Sequence, residues 1–406
     1  MNRRTLTFTI VALATFAGAS LWTARRFESR EITPSGGPSA AASTAITLEG
    51  ETRDQQIAWF EKRASEDPYS AGDRSELARL FLQRARETGN YQDVLRAEEA
   101  ARKSLALREV RNAHTYLFLS ASLLEQHRFA EARDAAQLLF ESDPENAPYR
   151  AHLGETQLEL GDYDAARVTF ESLEPARTHI DVAPRLARWA EISGRPGEAR
   201  LLLEGARDQA LKRSDLSREQ IAWFHLRVGD FELRNGRLEH AGKALRAGLA
   251  VSPEDYRLLA AMARLEAARQ RWERAIEYGD QAISTVLDPG TVSVIGEAYE
   301  ALGDRDKAAE YYRVMDVSTS SDTEPFHRTW GLFLLDHNRR VAEVVNKAQA
   351  EMRERQDIYG YDVLAWGLHK QGRHAEAKQA MDSALRMGTQ DALLFYHAGM
   401  IEHALG

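Results

Sequence analysis

Three residues near the end of this chain come closest to metal chemistry: His397, Glu402 and His403 bring two imidazoles and a carboxylate together. Their run, His-Ala-Gly-Met-Ile-Glu-His, has two residues too many for an inverted zincin pattern, and it reads as a histidine set without a metal. No glycine-rich phosphate loop and no nucleophile elbow occurs. Cysteine is absent, which removes thiolate catalysis, disulfide frameworks and cysteine zinc sites. The sequence therefore assigns no catalytic, cofactor or metal residue, and the chain reads as not an enzyme.

The chemistry left is recognition. Asp362, Trp366 and His369 fall at spacings of four and three, which puts them on one face of a helix. Tyr396, Met400 and His403 repeat that arrangement, and Arg328 precedes both sets. Exposed aromatics and arginine are frequent binding hot spots. An alternative stays open, in which Trp366 and Tyr396 belong to the core. With 53 Lys and Arg against 62 Asp and Glu, interspersed along the chain, the net charge is −9. A nucleic-acid ligand would call for a dense positive footprint, so none is expected.

These residues must be positioned by a repeat. The turns Leu160-Gly161-Asp162-Tyr163, Asn235-Gly236-Arg237-Leu238, Leu302-Gly303-Asp304-Arg305 and Gln371-Gly372-Arg373-His374 resemble one another. Markers at Gly89, His127, Gly161, Gly194, Gly236, Gln270, Gly303, Asn338, Gly372 and Gly406 are spaced by 38, 34, 33, 42, 34, 33, 35, 34 and 34 residues. A period near 34 means one helical hairpin per repeat. Seven residues before the marker stand Ser120, Gly154, Ala187, Gly229, Ala263, Gly296, Gly331, Ala365 and Gly399; only the first repeat departs, with Leu82. Five residues after it stand Ala132, Ala166, Ala199, Ala241, Ala275, Ala308 and Ala377, with Val94 and Glu343 departing. Small residues there let two helices approach closely.

On Leu153-Gly154, Gly161-Asp162-Tyr163, Ala166 and Phe170, the sequence resembles the tetratricopeptide repeat superfamily over residues 70–406. The resemblance implies an all-α, right-handed superhelical solenoid of antiparallel hairpins, about nine repeats plus a terminal half repeat. The 42-residue spacing implies a longer second helix or loop around residues 210–217, and the repeat at Asn338 is degenerate. Residues 51–68, with Ile57, Trp59 and Phe60, read as a capping helix on an array spanning 51–406. At the other end, residues 391–406 form a first-type helix, leaving Leu394, Ala398 and Ile401 without a second helix over them. Either more chain or a partner would cover that edge, and self-association is one way to do so.

The resemblance also implies that ligands lie on the concave face, at six and ten residues before each turn. Neither position carries the Lys and Asn with which relatives clamp a terminal carboxylate. The candidate partner-binding groove is accordingly Arg328, Asp362, Trp366, His369, Tyr396, Met400 and His403.

The first residues suggest export. Arg3 and Arg4 precede an uncharged run with Leu6, Phe8, Ile10, Val11, Leu13 and Phe16, then Ala17-Gly18-Ala19. This is the order of a bacterial signal peptide. Residues 5–23 are free of charge and long enough to span a bilayer when tilted, so residues 1–30 fit a cleaved signal or a retained membrane anchor equally. Residues 31–50, with Pro34, Gly36, Gly37 and Pro38, read as a disordered linker. The expected function is an exported, membrane-associated or periplasmic scaffold holding a peptide or helix of a partner protein. The rivals are an envelope-biogenesis or secretion accessory that binds a polymer or lipid-linked ligand, and a helical-solenoid enzyme.

Overall fold

A computed structural model describes residues 40–318 and 327–406, with side chains at 49–315 and 327–406. The expected signal or anchor lies outside the described residues. One compact unit runs from Ala42 to Gly406. Among the described residues no helix is long and apolar enough to cross a membrane.

The chain is all-α among these residues. After α1 (Ala40–Glu66) come nine hairpins. They are α2 (Ala71–Thr88) with α3 (Tyr91–Leu107), α4 (His114–Glu125) with α5 (Phe129–Ser142), and α6 (Ala147–Leu160) with α7 (Tyr163–Glu171). Next are α8 (Ala183–Ile192) with α9 (Pro196–Ala210), α10 (Arg218–Arg234) with α11 (Leu238–Val251), and α12 (Tyr256–Ala268) with α13 (Trp272–Ile283). The last are α14 (Pro289–Ala301) with α15 (Arg305–Ser318), α16 (Arg328–Asp336) with α17 (Val341–Glu351), and α18 (Ile358–Lys370) with α19 (His374–Ala384); α20 (Ala392–Leu405) is the half repeat. Each first helix packs on its own second helix, and all but α8 pack closely on the first helix of the next hairpin, as in a solenoid.

Side-chain caps start most first helices. Ser70, Asn146, Asp255, Asp288, Asp357 and Asp391 accept from backbone N–H groups in the first turn, and Ser217 forms a capping box with Gln220. All ten turn markers lie at positive φ, from 51° at Asn338 to 110° at Gly406. Glycine supplies that conformation at least cost, which is why seven of the ten are glycine. The small-residue positions pack as the period requires. A Cβ on Gly154 would meet the Phe170 ring at 2.9 Å, and one on Gly229 or Gly296 would meet Leu245 or Tyr312 at 2.4 Å.

Three expectations need correction. The helix α1 begins at Ala40, inside the segment read as linker, because Ala40-Ala41-Ala42 is strongly helix-forming. Ile57 on α1 packs with Leu77, Leu80 and Phe81 of the first hairpin. At the far end, Leu394 and Ile401 are buried, since α18 and α19 cover that face of α20; Leu393, Phe395, Tyr396, Met400 and Leu405 are exposed instead. The extra residues of the 42-residue repeat form loop 211–217 and lengthen α10.

The array also closes on itself. The turn inside each of the first four hairpins rests on a loop between two later hairpins. Gly89 abuts Val286, and the His127 ring meets His327 edge-on at 4.8 Å. Gln356 N–H donates to Leu160 C=O at 3.0 Å, Ile358 N–H to the Tyr163 hydroxyl at 2.9 Å, and the Thr389 hydroxyl to Ile192 C=O. Partners lie 195 to 197 residues apart in the last two contacts and in the bond from Arg355 to Glu159. At a period near 34 this places successive turns of the coil roughly six repeats apart. Arg355 fastens this seam by bonding Glu159, pairing with Asp357 at 3.0 Å and lying 4.0 Å over the Phe129 ring. Burial alone would raise the Asp357 pKa, but Arg328 and Arg355 outweigh it and hold the carboxyl below its ordinary value.

Candidate functional site

The first helices of the hairpins form the inner face of the coil and approach one another across it. Arg86 on α2 lies 3.7 Å from Glu219 on α10, and Arg188 on α8 reaches the Tyr359 hydroxyl at 3.5 Å and lies 5.2 Å over its ring. The two rows expected to face a ligand differ. Six residues before the turn, Gln83, Glu155, Arg188, Asp230, Arg264 and Glu297 are all at least partly accessible. Ten residues before it, Ala151, Pro184, Leu226, Ala260, Ser293 and Asp362 are buried. Most of the second row is thus closed, which corrects the expectation that both rows are free, although Arg79, Leu117, Arg328 and Tyr396 in it are not buried.

The seven expected groove residues do not share one surface. Asp362 and Trp366 are each 2 % exposed. Trp366 lies between His369 and His397, with ring centroids at 5.0 and 4.3 Å and near-parallel planes, and its indole N–H donates to Asp336 at 2.8 Å. Asp362 bonds His397 Nδ1 at 2.8 Å; burial raises the Asp362 pKa against the opposing pull of that histidine. Arg328 is committed to the seam, 3.0 Å from Glu351 and 2.7 Å from Asp357. His369 is half-buried beside Trp366. Only Tyr396, Met400 and His403 on α20 remain exposed. The face-sharing spacing was sound, but a Trp six residues before a turn folds flat against His397 of the next repeat.

A feature absent from the sequence reading sits on α8 and α10. Glu191 accepts from Arg188 at 3.0 Å and from Arg234 at 2.8 Å. Arg227, one turn before Asp230, has no hydrogen-bond or ion-pair partner among the described residues; its guanidinium lies 5.9 Å from the centre of the Trp223 ring. Asp230, which could neutralise it, is instead paired with Arg264 at 3.0 Å. Burial, with Arg234 and Arg188 beside it, pulls the Arg227 pKa below its ordinary value. Arg188 and Arg234 thus share the Glu191 carboxylate, and Arg227 is left beside them without an ion pair. The sequence signal is the set Arg188, Arg227 and Arg234, but Arg227 falls nine residues before its turn, off both rows expected to face a ligand.

Among the described residues, no group of three or more His, Asp or Glu side chains is placed to hold a metal ion. The tetratricopeptide repeat family matches at residues 123–183, 226–290 and 293–313. Residues 123–313 of this chain carry tetratricopeptide repeats. No curated relative matches the sequence. Several solved structures show similarity to this chain at low identity. The pilF protein of Pseudomonas aeruginosa is 16% identical over 55% of this chain and 97% of its own, with a TM-score of 0.41. The human IFIT1 dimer with PPP-AAAA is 14% identical over 83% and 95%, with a TM-score of 0.44. The type IV pilus biogenesis factor PilW is 16% identical over 60% and 95%, with a TM-score of 0.33. Tetratricopeptide repeat families are in general non-catalytic protein-binding scaffolds.

Proposed function

We propose that this chain is a non-catalytic scaffold that holds an extended peptide or a helix of a partner protein against the inner face of its coil. What carries the reading is the row six residues before each turn. Gln83, Glu155, Arg188, Asp230, Arg264 and Glu297 of that row are polar and at least partly accessible, with Ala121 as the one apolar break among them, while much of each first helix is buried in packing. Such a row gives a ligand regularly spaced polar contacts on a rigid support. Export belongs to the same proposal and rests on the basic start and apolar run of residues 1–19.

The test places a photo-crosslinking side chain at Arg264 on the inner row or at Lys243 on the outer helix α11, in cells producing the full chain. Adducts with one defined protein from Arg264 and none from Lys243 are expected. Equal labelling from both positions would remove the inner face as the binding surface. Intact mass of the recovered chain reports whether the N-terminal segment is cleaved, and fractionation reports whether it is bound to membrane.

A further inference from the structure

An enclosed guanidinium with no counter-charge is costly to keep, because burial removes the water that would otherwise solvate it. Arg227 is in that position, half-buried on the inner face of α10. The carboxylates within electrostatic reach are Asp230 and Glu191. Asp230 is bonded by Arg264, and Glu191 by both Arg188 and Arg234. Every anion nearby is therefore already taken, and the local charge balance is positive in a chain whose net charge is −9. The Trp223 ring lies 5.9 Å from the Arg227 guanidinium, and the neighbouring Arg188 lies 5.2 Å over the Tyr359 ring. A planar guanidinium fork with neighbouring ring faces suits a carboxylate borne on a short apolar stem.

We infer that the inner face between α8 and α10 binds an acidic side chain of a peptide ligand, with Arg227 as the receiving group and Arg188 and Arg234 as flanking charges. The inference rests on the scaffold reading above and names the chemistry of its ligand. The carboxylate enters as a bidentate acceptor for Arg227, and the pairs to Glu191 hold the flanking arginines in place without using them up. Selectivity comes from the contrast with the remaining surface, since a polyanion is repelled by a net-negative chain and gains only where the local field is reversed.

The test uses a fluorescein-labelled hexaglutamate peptide with an amidated C-terminus, titrated against the full chain by anisotropy. The free-acid form of the same peptide, hexalysine and inorganic phosphate serve as comparisons. Binding of the amidated peptide is expected, weakened at least tenfold by Arg227→Gln and less by Arg227→Lys. Because the wild-type guanidinium lacks a partner, Arg227→Gln also melts at a higher temperature than wild type, which separates lost binding from lost fold. Binding equal in wild type and Arg227→Gln overturns the assignment, as does wild type that ignores the amidated peptide. Binding of the free-acid peptide alone would make the site one for chain termini, and competition by millimolar phosphate with no peptide binding would make it an inorganic-anion site; either result overturns the side-chain assignment. If hexaglutamate fails while Arg264 still crosslinks a protein, the arginine site falls and the scaffold stands.

Discussion

Gly154 and Gly161 stand seven residues apart in one hairpin, and neither leaves room for a methyl group, but the obstacles differ. A Cβ on Gly154 would strike the Phe170 ring of its own hairpin at 2.9 Å; one on Gly161 would strike the backbone of Gln356 at 2.4 Å, across the seam. The first contact recurs in kind at Gly229 and Gly296, because each hairpin solves the same packing problem. The second belongs to the closing of the coil. The two helices of each hairpin thus cohere through a repeated interface of small residues, whereas successive turns of the coil cohere through contacts made once each. Damage to the first should spread to adjacent repeats, and damage to the second should open the coil with its hairpins intact.

The largest expected effect tests the first interface. Gly296→Leu drives a branched side chain into Tyr312, whose ring already lies 2.4 Å from an added Cβ. Overpacking of that kind costs about 3 kcal/mol or more. Hydrogen exchange should show protection lost in α14 and α15 and their neighbours, with a lower-temperature transition in the melt. A single unchanged transition would refute the hairpin interface as described.

Next comes a paired measurement on the seam. Gly161 and Gly303 have nearly the same φ, 79° and 82°, so an alanine pays a left-handed strain of roughly 1 kcal/mol at either site. Around Gly303 nothing lies within 4 Å of an added Cβ, whereas Gly161 faces backbone that cannot move aside. Gly161→Ala should therefore cost about 3 kcal/mol in total and raise the radius of gyration in solution scattering. Gly303→Ala should cost about 1 kcal/mol with no change in dimensions. Equal losses and equal dimensions would mean that the turns of the coil do not touch in solution.

Acid should loosen the seam by a smaller amount. His127 is held at a pKa of about 4 by burial first, then by His327, Arg355 and Arg328 facing it across the seam. The opened state carries a histidine near 6.5, so between pH 6.5 and 4 it binds a proton that the closed seam refuses. Stability present above pH 6.5 is then lost as pH falls through that window, by on the order of 2 kcal/mol. Because carboxylates also titrate there, the readout is the difference between wild type and His127→Asn in urea midpoint from pH 7 to 4.5. Parallel curves would remove His127 from the balance.

How much was legible follows the same division. The nine hairpins and ten turns could be read because one rule repeats, and even His127, Gln270 and Asn338 were placed correctly at turns, where they adopt positive φ despite their side chains. The seam could not be read, because Val286, His327, Gln356 and Thr389 share no residue type and touch their partners partly through backbone. The groove reading failed at Trp366 for a related reason. Sequence fixes the face a side chain leaves from, but His397 of the following helix decides whether that face stays open. Arg227 was missed because an unpaired charge is defined by the absence of partners, which only coordinates reveal.

The smallest expected effect separates the two regions at a single residue type. Gln270 and His127 are both non-glycine turn markers, at φ 58° and 59°, and each bears the left-handed strain of an L-residue. Gln270 is exposed, so Gln270→Gly removes strain with little lost contact and should stabilise by about 1 kcal/mol or less, after the added freedom of glycine in the unfolded chain is subtracted. His127 has its ring against Phe129 at 5.5 Å and His327 at 4.8 Å, so His127→Gly relieves the same strain but removes seam contacts. A gain for Gln270→Gly with none for His127→Gly, measured by chemical denaturation at pH 7.5, is the expected pattern. Gains of equal size would show that His127 contributes nothing to closing the coil, and would leave glycine as the better residue at every turn.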